Sequence, residues 1–427
     1  MKICLISFIT PASENIRGTS ALPYHLIKGS RFNDNVNGDD NQFEIYSFNN
    51  NGLTDEKVAE VEKELGCTIK KVPLPRWYRW MFKLHLLFLR VLLKYPFGNY
   101  ISLPKKYVDE INEQKLDLIW VMGEELSRIV KQFPNHRRIQ IGPDTESLYY
   151  YRMMGRRFVV NNPWEYWKCA LMYRKYARME RGFCTDESIT YYAVGEEDVR
   201  HLQQLNPKVK AKFLRHPHYD VKEEFERGEM RRLHQPKIKL LIAGRYDLYM
   251  KQEADELFEK LKKSKNIKLK SCYTYTFLGK GWENYVKKLK EAGYEVEHIS
   301  FAPNYVEEVR CHDIQITPIA IGTGTKGKVL DAIANGLLVI GTKYAMENIA
   351  VKSGESCIEY KRPGEVIEVL MDILNNKEKY EQVAVEGQRK VLMYHDRIKI
   401  SKELFNLNEN DEENSDLNDD LRNGSLS

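Results

Sequence analysis

The chain has 427 residues, 42 % of them hydrophobic and 30 % charged, with a formal net charge of +5. Its length exceeds one ordinary core and predicts two or three domains of roughly 150 residues each, while the lack of any run of about 18 uncharged apolar residues excludes a membrane-spanning helix. Seven cysteines, at 4, 67, 169, 184, 272, 311 and 357, are odd in number and never spaced C-x-x-C, which argues against a disulfide framework or zinc site and for a reducing cytosol.

The chain opens on an apolar run, Lys2–Ile9, that reads as a buried first strand and not as a signal peptide. Strand-like runs follow at 43–47, 68–73, 117–122, 137–142, 188–194 and 210–214. Helical patterns lie between several of them, at 54–65, 104–113, 124–131 and 196–204. A polar break near Arg215–Lys237 precedes a second set of strands at 237–243, 273–278, 294–300, 313–318, 337–341 and 356–360. Helical patterns at 251–263, 282–292, 304–311, 328–335, 364–375 and 378–391 alternate with these. Such alternation predicts an α/β protein with two parallel-sheet domains, over 1–215 and 216–390. Residues 391–408 form a further helix, expected to pack back on the first domain. From Glu409 onward seven acids face one base, so 409–427 reads as a disordered acidic tail and the rest of the chain carries +11. A basic body suits phosphorylated substrates, nucleic acid or an anionic membrane.

The stretch "IGTGTKGKVLDAIANG" (Ile321–Gly336) follows a strand and opens a helix. Gly322, Gly324 and Gly327 allow close backbone approach to a ligand. The helix start offers unpaired N–H groups and the positive dipole end to an anion, and Lys326 and Lys328 add charge. The G-x4-G-K spacing matches a nucleoside-triphosphate loop, but Val329 stands where a magnesium-binding hydroxyl is required. The next strand ends in Gly-Thr-Lys, without the expected Asp. Two readings stay open: a phosphate cradle of another kind, and a glycine turn with no ligand.

The longer run "PIAIGTGTKGKVLDAIANGLLVIGT" (Pro318–Thr342) resembles the donor-site signature of the GT-B glycosyltransferases of the retaining "glycosyl transferases group 1" type. His298–Ile319 resembles the strand–helix–strand before that signature, and Leu240–Leu261 the opening of the second domain. Weaker likeness extends over the first strand with "RGTSALPYHL" and over Ile141–Leu202. The resemblance implies a GT-B fold, two Rossmann-like domains facing across a cleft. It implies a nucleotide-sugar donor against the second domain. Gly244, Arg245 and Lys251 in one turn, with Gly322, Thr323, Gly324, Thr325, Lys326 and Lys328 in the other, would hold its diphosphate and sugar. Asp331 takes the position of the family's ribose-binding carboxylate. The family's other carboxylate, eight positions earlier, falls on Thr323, a departure from the two-glutamate pattern. The implied reaction is glycosyl transfer with retention, with no metal and no cofactor, to a glycan or lipid-linked acceptor in cell-surface polysaccharide synthesis. A nucleotide-sugar epimerase or hydrolase, or a non-catalytic nucleotide- or partner-binding subunit, fits the same fold.

The first domain offers Gly18, which reads either as an acceptor-side loop or as an ordinary turn. Asp144 follows a strand at its cleft end and is assigned either the catalytic role of orienting an acceptor hydroxyl or that of a turn cap. Pro75–Tyr100 carries five bases and no acid among many aromatics, and is read as a helix. Arg76, Trp77, Arg79, Trp80 and Lys83 would let it lie on an anionic membrane. Arg152–Arg181 is a second basic aromatic stretch, with eight bases against two Glu. No nucleic-acid-binding module is recognised. The localisation expected is cytoplasmic, peripheral on the inner membrane face.

Overall fold

The computed structural model describes residues 1–13, 18–31, 41–219, 221 and 232–405. The acidic tail 409–427 therefore lies outside the described residues. Two wholly parallel sheets account for the strands. The first holds β1 (Lys2–Ser7), β2 (Gln42–Ser47), β3 (Thr68–Lys71), β4 (Leu118–Met122), β5 (Arg138–Gly142), β6 (Ile189–Ala193) and β7 (Ala211–Phe213). Its order is β3-β2-β1-β4-β5-β6-β7. The second holds β8 (Ile238–Ala243), β9 (Tyr273–Leu278), β10 (Glu295–Ile299), β11 (Ile314–Thr317), β12 (Leu338–Gly341) and β13 (Ile358–Glu359). Its order is β10-β9-β8-β11-β12-β13.

These strands form because their sequences are apolar on both faces, as parallel sheets covered by helices demand. All five residues of β4 and all four of β11 and of β12 are buried. In each sheet the order reverses once, between β1 and β4 and between β8 and β11. Ligands of such sheets bind beyond the carboxyl ends of the strands at that switch point. The glycine turns after β8 and β11 flank the switch point of the second sheet.

The helix Gly327–Ala334 sits over β11 and β12. It fully buries Val329, Leu330 and Ile333, which stabilises it by on the order of 2 kcal/mol per side chain. The helix Lys377–Tyr394 crosses it at Gly387, where a Cβ would lie 3.3 Å from Ile333 Cγ2 and would overlap the Ser356 carbonyl. The chain then returns to the first domain. The helix Arg397–Phe405 packs on the helix Gly18–Arg31, with the Arg397 carbonyl against Gly29. Phe405 ends it in the first-domain core, 5.5 Å from the rings of both Phe43 and Trp120.

Two stretches depart from the sequence expectation. The segment 75–100 is not one helix. Arg76–Lys83 is helical, His85 takes a left-handed φ of 54°, and Leu86–Leu92 continues as a 3-10 helix. Only Tyr78 anchors the first turns, against Phe8, Phe82 and Phe97. Aromatic residues have middling helix propensity, so one anchor does not carry a longer helix. The expected helix over 124–131 is likewise a 3-10 turn, Glu124–Leu126, followed by the single turn Ser127–Val130. Among the described residues no helix is long and apolar enough to cross a membrane.

Candidate active site

The turn after β8 is built on close backbone packing. Gly244 has φ 129°, and a Cβ there would come within 2.6 Å of Met250 Cε. Trp282 donates its indole N–H to the Gly244 carbonyl at 2.7 Å, and Tyr246 N donates to the Lys280 carbonyl at 3.0 Å. The rigid turn presents Arg245, which is exposed. Asp247 follows, accepting from Tyr249 N at 2.9 Å. Burial raises the Asp247 carboxyl above its ordinary value, and the charges of Arg245 and Lys328 oppose that rise. Asp247 is thus within electrostatic reach of both Arg245 and Lys328, which come from two different strand ends. Lys251 is exposed at the first position of the next helix.

Lys328 is the second residue of the helix Gly327–Ala334, with its ammonium over the Tyr305 ring, 5.5 Å from the centroid. Crowding by the cleft walls pulls its pKa down, against the charges of Asp331 and Asp247. Asp331 is 2 % exposed and accepts from Tyr219 N at 3.4 Å. Its charge helps burial raise the phenols of Tyr219 and Tyr305. His216 borders the same helix start, its Cε1 being 3.9 Å from where a Cβ on Gly327 would stand. Both His216 and Tyr219 belong to the irregular segment that follows β7. His25 of the first domain stacks on Tyr219, 4.2 Å between centroids and 11° from parallel.

The loop Gly322–Lys326 has a different environment. It is clasped by the first domain. Asp198 accepts from Thr145 N at 2.7 Å with one carboxylate oxygen and from Gly324 N at 3.0 Å with the other. Thr325 donates its hydroxyl to the Val194 carbonyl at 2.6 Å. Asn348 donates to the Gly324 carbonyl and accepts from Glu196 N, both at 3.0 Å. Arg152 pairs with both Glu347 oxygens, at 2.8 and 2.7 Å, and also donates to the Gly322 carbonyl. Lys326 turns back on its own loop, donating to the carbonyls of Thr323 at 2.6 Å and Gly324 at 2.9 Å. Its charge sits among Asp144, Glu347 and Asp198.

Asp144 faces this clasp. Its carboxylate occupies the space beside Gly324, which has φ 59° and the Pro143 carbonyl 2.8 Å from where a Cβ would be. Burial and the neighbouring Asp198 push the Asp144 carboxyl up to about 6, while Lys326 and the Thr323 hydroxyl hold it down. Behind it lie more buried acids. Glu146 is pushed up to about 8 by burial and by Asp144. Burial raises Glu124 and Glu180 as well, Glu180 adding to the rise at Glu124. Among the described residues no group of three or more His, Cys, Asp or Glu could hold a metal ion.

The structure therefore brings Arg245, Lys328 and Asp331 together around the helix start, with Gly244 shaping the facing turn. Thr323, Gly324, Thr325 and Lys326 gather with Asp144 in the clasp. Gly18 stands apart, exposed at the start of its helix with nothing within 4 Å of a built Cβ. Arg76, Trp77, Arg79, Trp80 and Lys83 share one short exposed helix. That segment caps the carboxyl ends of β1 and β4, through Phe8 on Tyr78 and through Gly98 on Glu125. Sequence reasoning missed Arg152, Asp198, Glu347 and Asn348. Asp198 lies in the first turn of a helix, where an acid is the ordinary complement to the helix dipole, so nothing marked it as an interdomain acceptor.

With this geometry in place the chain can be compared with known proteins. No family model matches it, and no curated protein does. Solved structures do. Anabaena HepE in complex with UDP aligns with a TM-score of 0.62 at 13 % identity, over 95 % of this chain and 98 % of that one. HepE has also been solved with UDP-glucose. Sucrose-phosphate synthase from Thermosynechococcus elongatus aligns at 0.62 and 10 % identity, over 99 % and 100 %. WaaG, a glycosyltransferase involved in lipopolysaccharide biosynthesis, aligns at 0.57 and 14 % identity, over 94 % and 98 %. The protein has the GT-B fold, two parallel-sheet α/β domains of the kind these solved structures share.

Proposed function

We propose that the protein is a glycosyltransferase that moves a sugar from a nucleotide-sugar donor to a glycan or lipid-linked acceptor. The observation that carries this reading is the placement of Arg245 and Lys328 on the turns after β8 and β11, which flank the switch point of the second sheet, with Lys328 in the first turn of the helix Gly327–Ala334. HepE, of the same fold, holds UDP and UDP-glucose in its solved complexes, which supports a nucleotide-sugar as the ligand. In this reading the diphosphate lies between the two bases. Cations and amide dipoles aimed at a leaving group stabilise the charge that grows on it in the transition state, and here side chains supply them in place of a metal. Asp331 meets the ribose, and its present burial means that Tyr219 shifts when donor binds. Thr323, Gly324 and Thr325 shape the sugar end of the site, and Asp144 orients the acceptor hydroxyl beside them. Transfer proceeds with retention, and no protein nucleophile is assigned.

The acceptor side faces the basic aromatic segment. Trp77, Trp80, Phe88 and Leu92 are exposed there among Arg76, Arg79 and Lys83. In the proposal this surface rests on an anionic membrane at the inner face and brings a lipid-linked acceptor to the cleft. The role is in cell-surface polysaccharide synthesis.

The donor site is tested with Lys328→Ala and Arg245→Ala. Each removes a charge-assisted contact of about 1.5–3 kcal/mol, so UDP or another nucleoside diphosphate should bind about 10- to 100-fold more weakly. Calorimetry against UDP, GDP, CMP and dTDP measures this and identifies the base. Unchanged affinity in both variants would refute the site.

A further inference from the structure

Two depressions on the first domain adjoin each other. One is an apolar groove of about 480 Å³, walled by Trp77, Trp80, Met81, Leu84, Phe97 and Tyr100. The other, about 440 Å³, is basic, with an apolar wall contributed by Tyr95 and Met179. Asn99, Ser102, Ser127, Arg128, Lys131 and Gln132 line it, and no carboxylate does. They share a wall. Tyr100 lines the groove, and the Arg128 guanidinium of the pocket lies over its ring, 4.6 Å from the centroid. Arg128 is also 5.9 Å from the centroid of Tyr95, whose N–H donates to the Tyr100 hydroxyl at 3.3 Å.

The pocket is held in place by its neighbours. Asn99 donates to Ser127 Oγ at 2.7 Å and to the Glu125 carbonyl at 3.2 Å, which leaves the Ser127 hydroxyl hydrogen for another acceptor. Lys131 donates to the Gly182 carbonyl at 2.8 Å, which fixes its ammonium at the rim and spares two of its N–H groups. A guanidinium laid on aromatic faces keeps its N–H edge open, and that edge suits two phosphate oxygens. A soluble sugar phosphate would have no use for the groove, and a neutral lipid none for an acid-free basic pocket. Exposed Trp80 and Leu84, at 64 % and 56 %, with Arg76, Arg79 and Lys83 beside them, turn this face toward a membrane.

We infer that the groove and pocket together hold one anionic glycerophospholipid, its hydrocarbon against Trp77, Trp80 and Phe97 and its phosphate at Arg128, Lys131 and Ser127. The inference rests on the membrane-docking reading and deepens it, from a diffuse charged surface to a discrete lipid site.

The test uses short-chain phosphatidylglycerol below its micelle concentration, with tryptophan fluorescence and calorimetry on the full chain. Saturable binding of one lipid per chain is expected, with affinity at least tenfold weaker in the double variant Arg128→Gln/Lys131→Gln. The triple variant Arg76→Gln/Arg79→Gln/Lys83→Gln should keep that binding while pelleting less with phosphatidylglycerol vesicles. Non-saturable binding, or equal affinity in the Arg128→Gln/Lys131→Gln protein with an unchanged melting temperature, overturns the site. So does glycerol phosphate binding as tightly as the lipid, which would make it a free-phosphate site. Wild-type protein that fails to pellet with any vesicle yet binds one short-chain lipid would sink membrane docking and leave the lipid site standing.

Discussion

The two faces of the cleft differ in composition: acids predominate on the first domain and bases with backbone amides on the second, while Arg152 pairs with Glu347 in the reverse sense and Asp247 and Asp331 lie on the second side. The first domain contributes acids, buried at Asp198, Glu124 and Glu180 and half-buried at Asp144 and Glu146. The second contributes bases and backbone amides, from Arg245 and Lys328 to the loop Gly322–Lys326. The acids spend themselves on the loop: Asp198 takes the Gly324 amide, and Lys326 lies among three carboxylates. Arg245 and Lys328 stand outside that exchange. One loop therefore serves two ends. Its glycine half joins the domains, and its helix half bears Lys328, the residue assigned to the donor in the proposed reading. Residues in the first half should change stability, while residues in the second should change binding.

Gly324→Ala should break the comparison hardest. Its φ of 59° strains any L side chain, and the new Cβ would overlap the Asp144 carboxylate and the Pro143 carbonyl. Strain alone costs about 1–3 kcal/mol, so a loss on the order of 3 kcal/mol is expected once the overlap is added. Thermal unfolding with and without nucleoside diphosphate measures it. A variant that melts like the wild type but binds ligand poorly would show that the glycine half also touches donor.

The buried acids give a second, smaller effect with a definite sign. Asp144 is raised from 3.8 to about 6 and Glu146 from 4.5 to about 8. Between each pair of values the folded chain holds a proton that the unfolded chain has released. Stability contributed by these groups is therefore present at low pH and is lost as pH rises through about 6 and then about 8. A shift of two units corresponds to roughly 3 kcal/mol, an upper bound for Asp144 since part of it remains solvated. In the Asp144→Asn/Glu146→Gln protein, urea unfolding should show a flatter dependence on pH from 5 to 8 than wild type, by at most about 5 kcal/mol from the unscreened shifts and by about 2 kcal/mol once solvent screening of these half-buried groups is allowed for. Parallel curves would mean that these carboxyls are not strained in the folded state.

The same division explains what the sequence revealed. The second sheet and its helix starts were legible at 313–342, because a continuous apolar strand, a glycine run and an apolar helix face occur there in unbroken order. Gly244 and Arg245 were legible only through the resemblance of Leu240–Leu261 to the opening of the family's second domain, and the structure places them directly after β8. The clasp was not. Arg152, Asp198, Glu347 and Asn348 come from separate segments, and each alone looks like a surface helix or turn residue. Only the fold brings them to one loop. The reading of 75–100 as one helix missed the break at His85, because a left-handed residue other than glycine has no compositional signal. Lys326 and Lys328, two residues apart, read alike in sequence. The helix start separates them, sending one back to loop carbonyls and the other into the cleft.

The smallest expected effect sharpens the comparison most cleanly. Gly18 and Gly324 both read in sequence as glycines that admit a ligand. Gly324 is demanded by its positive φ and by the acid beside it. Gly18 has neither constraint: it is exposed, begins a helix, and has open space where a Cβ would go. Gly18→Ala should then change stability by no more than about 0.5 kcal/mol, and slightly upward, since alanine is the better helix former. Turnover with saturating donor and acceptor should stay within twofold or so of wild type, the fold-change that about 0.5 kcal/mol produces. A large loss of turnover at unchanged stability would mean that a substrate approaches the Gly18 backbone as closely as Asp144 approaches Gly324. In that case the first domain, too, would use glycine to admit a ligand, and its face of the cleft would be more than an anchor for the loop.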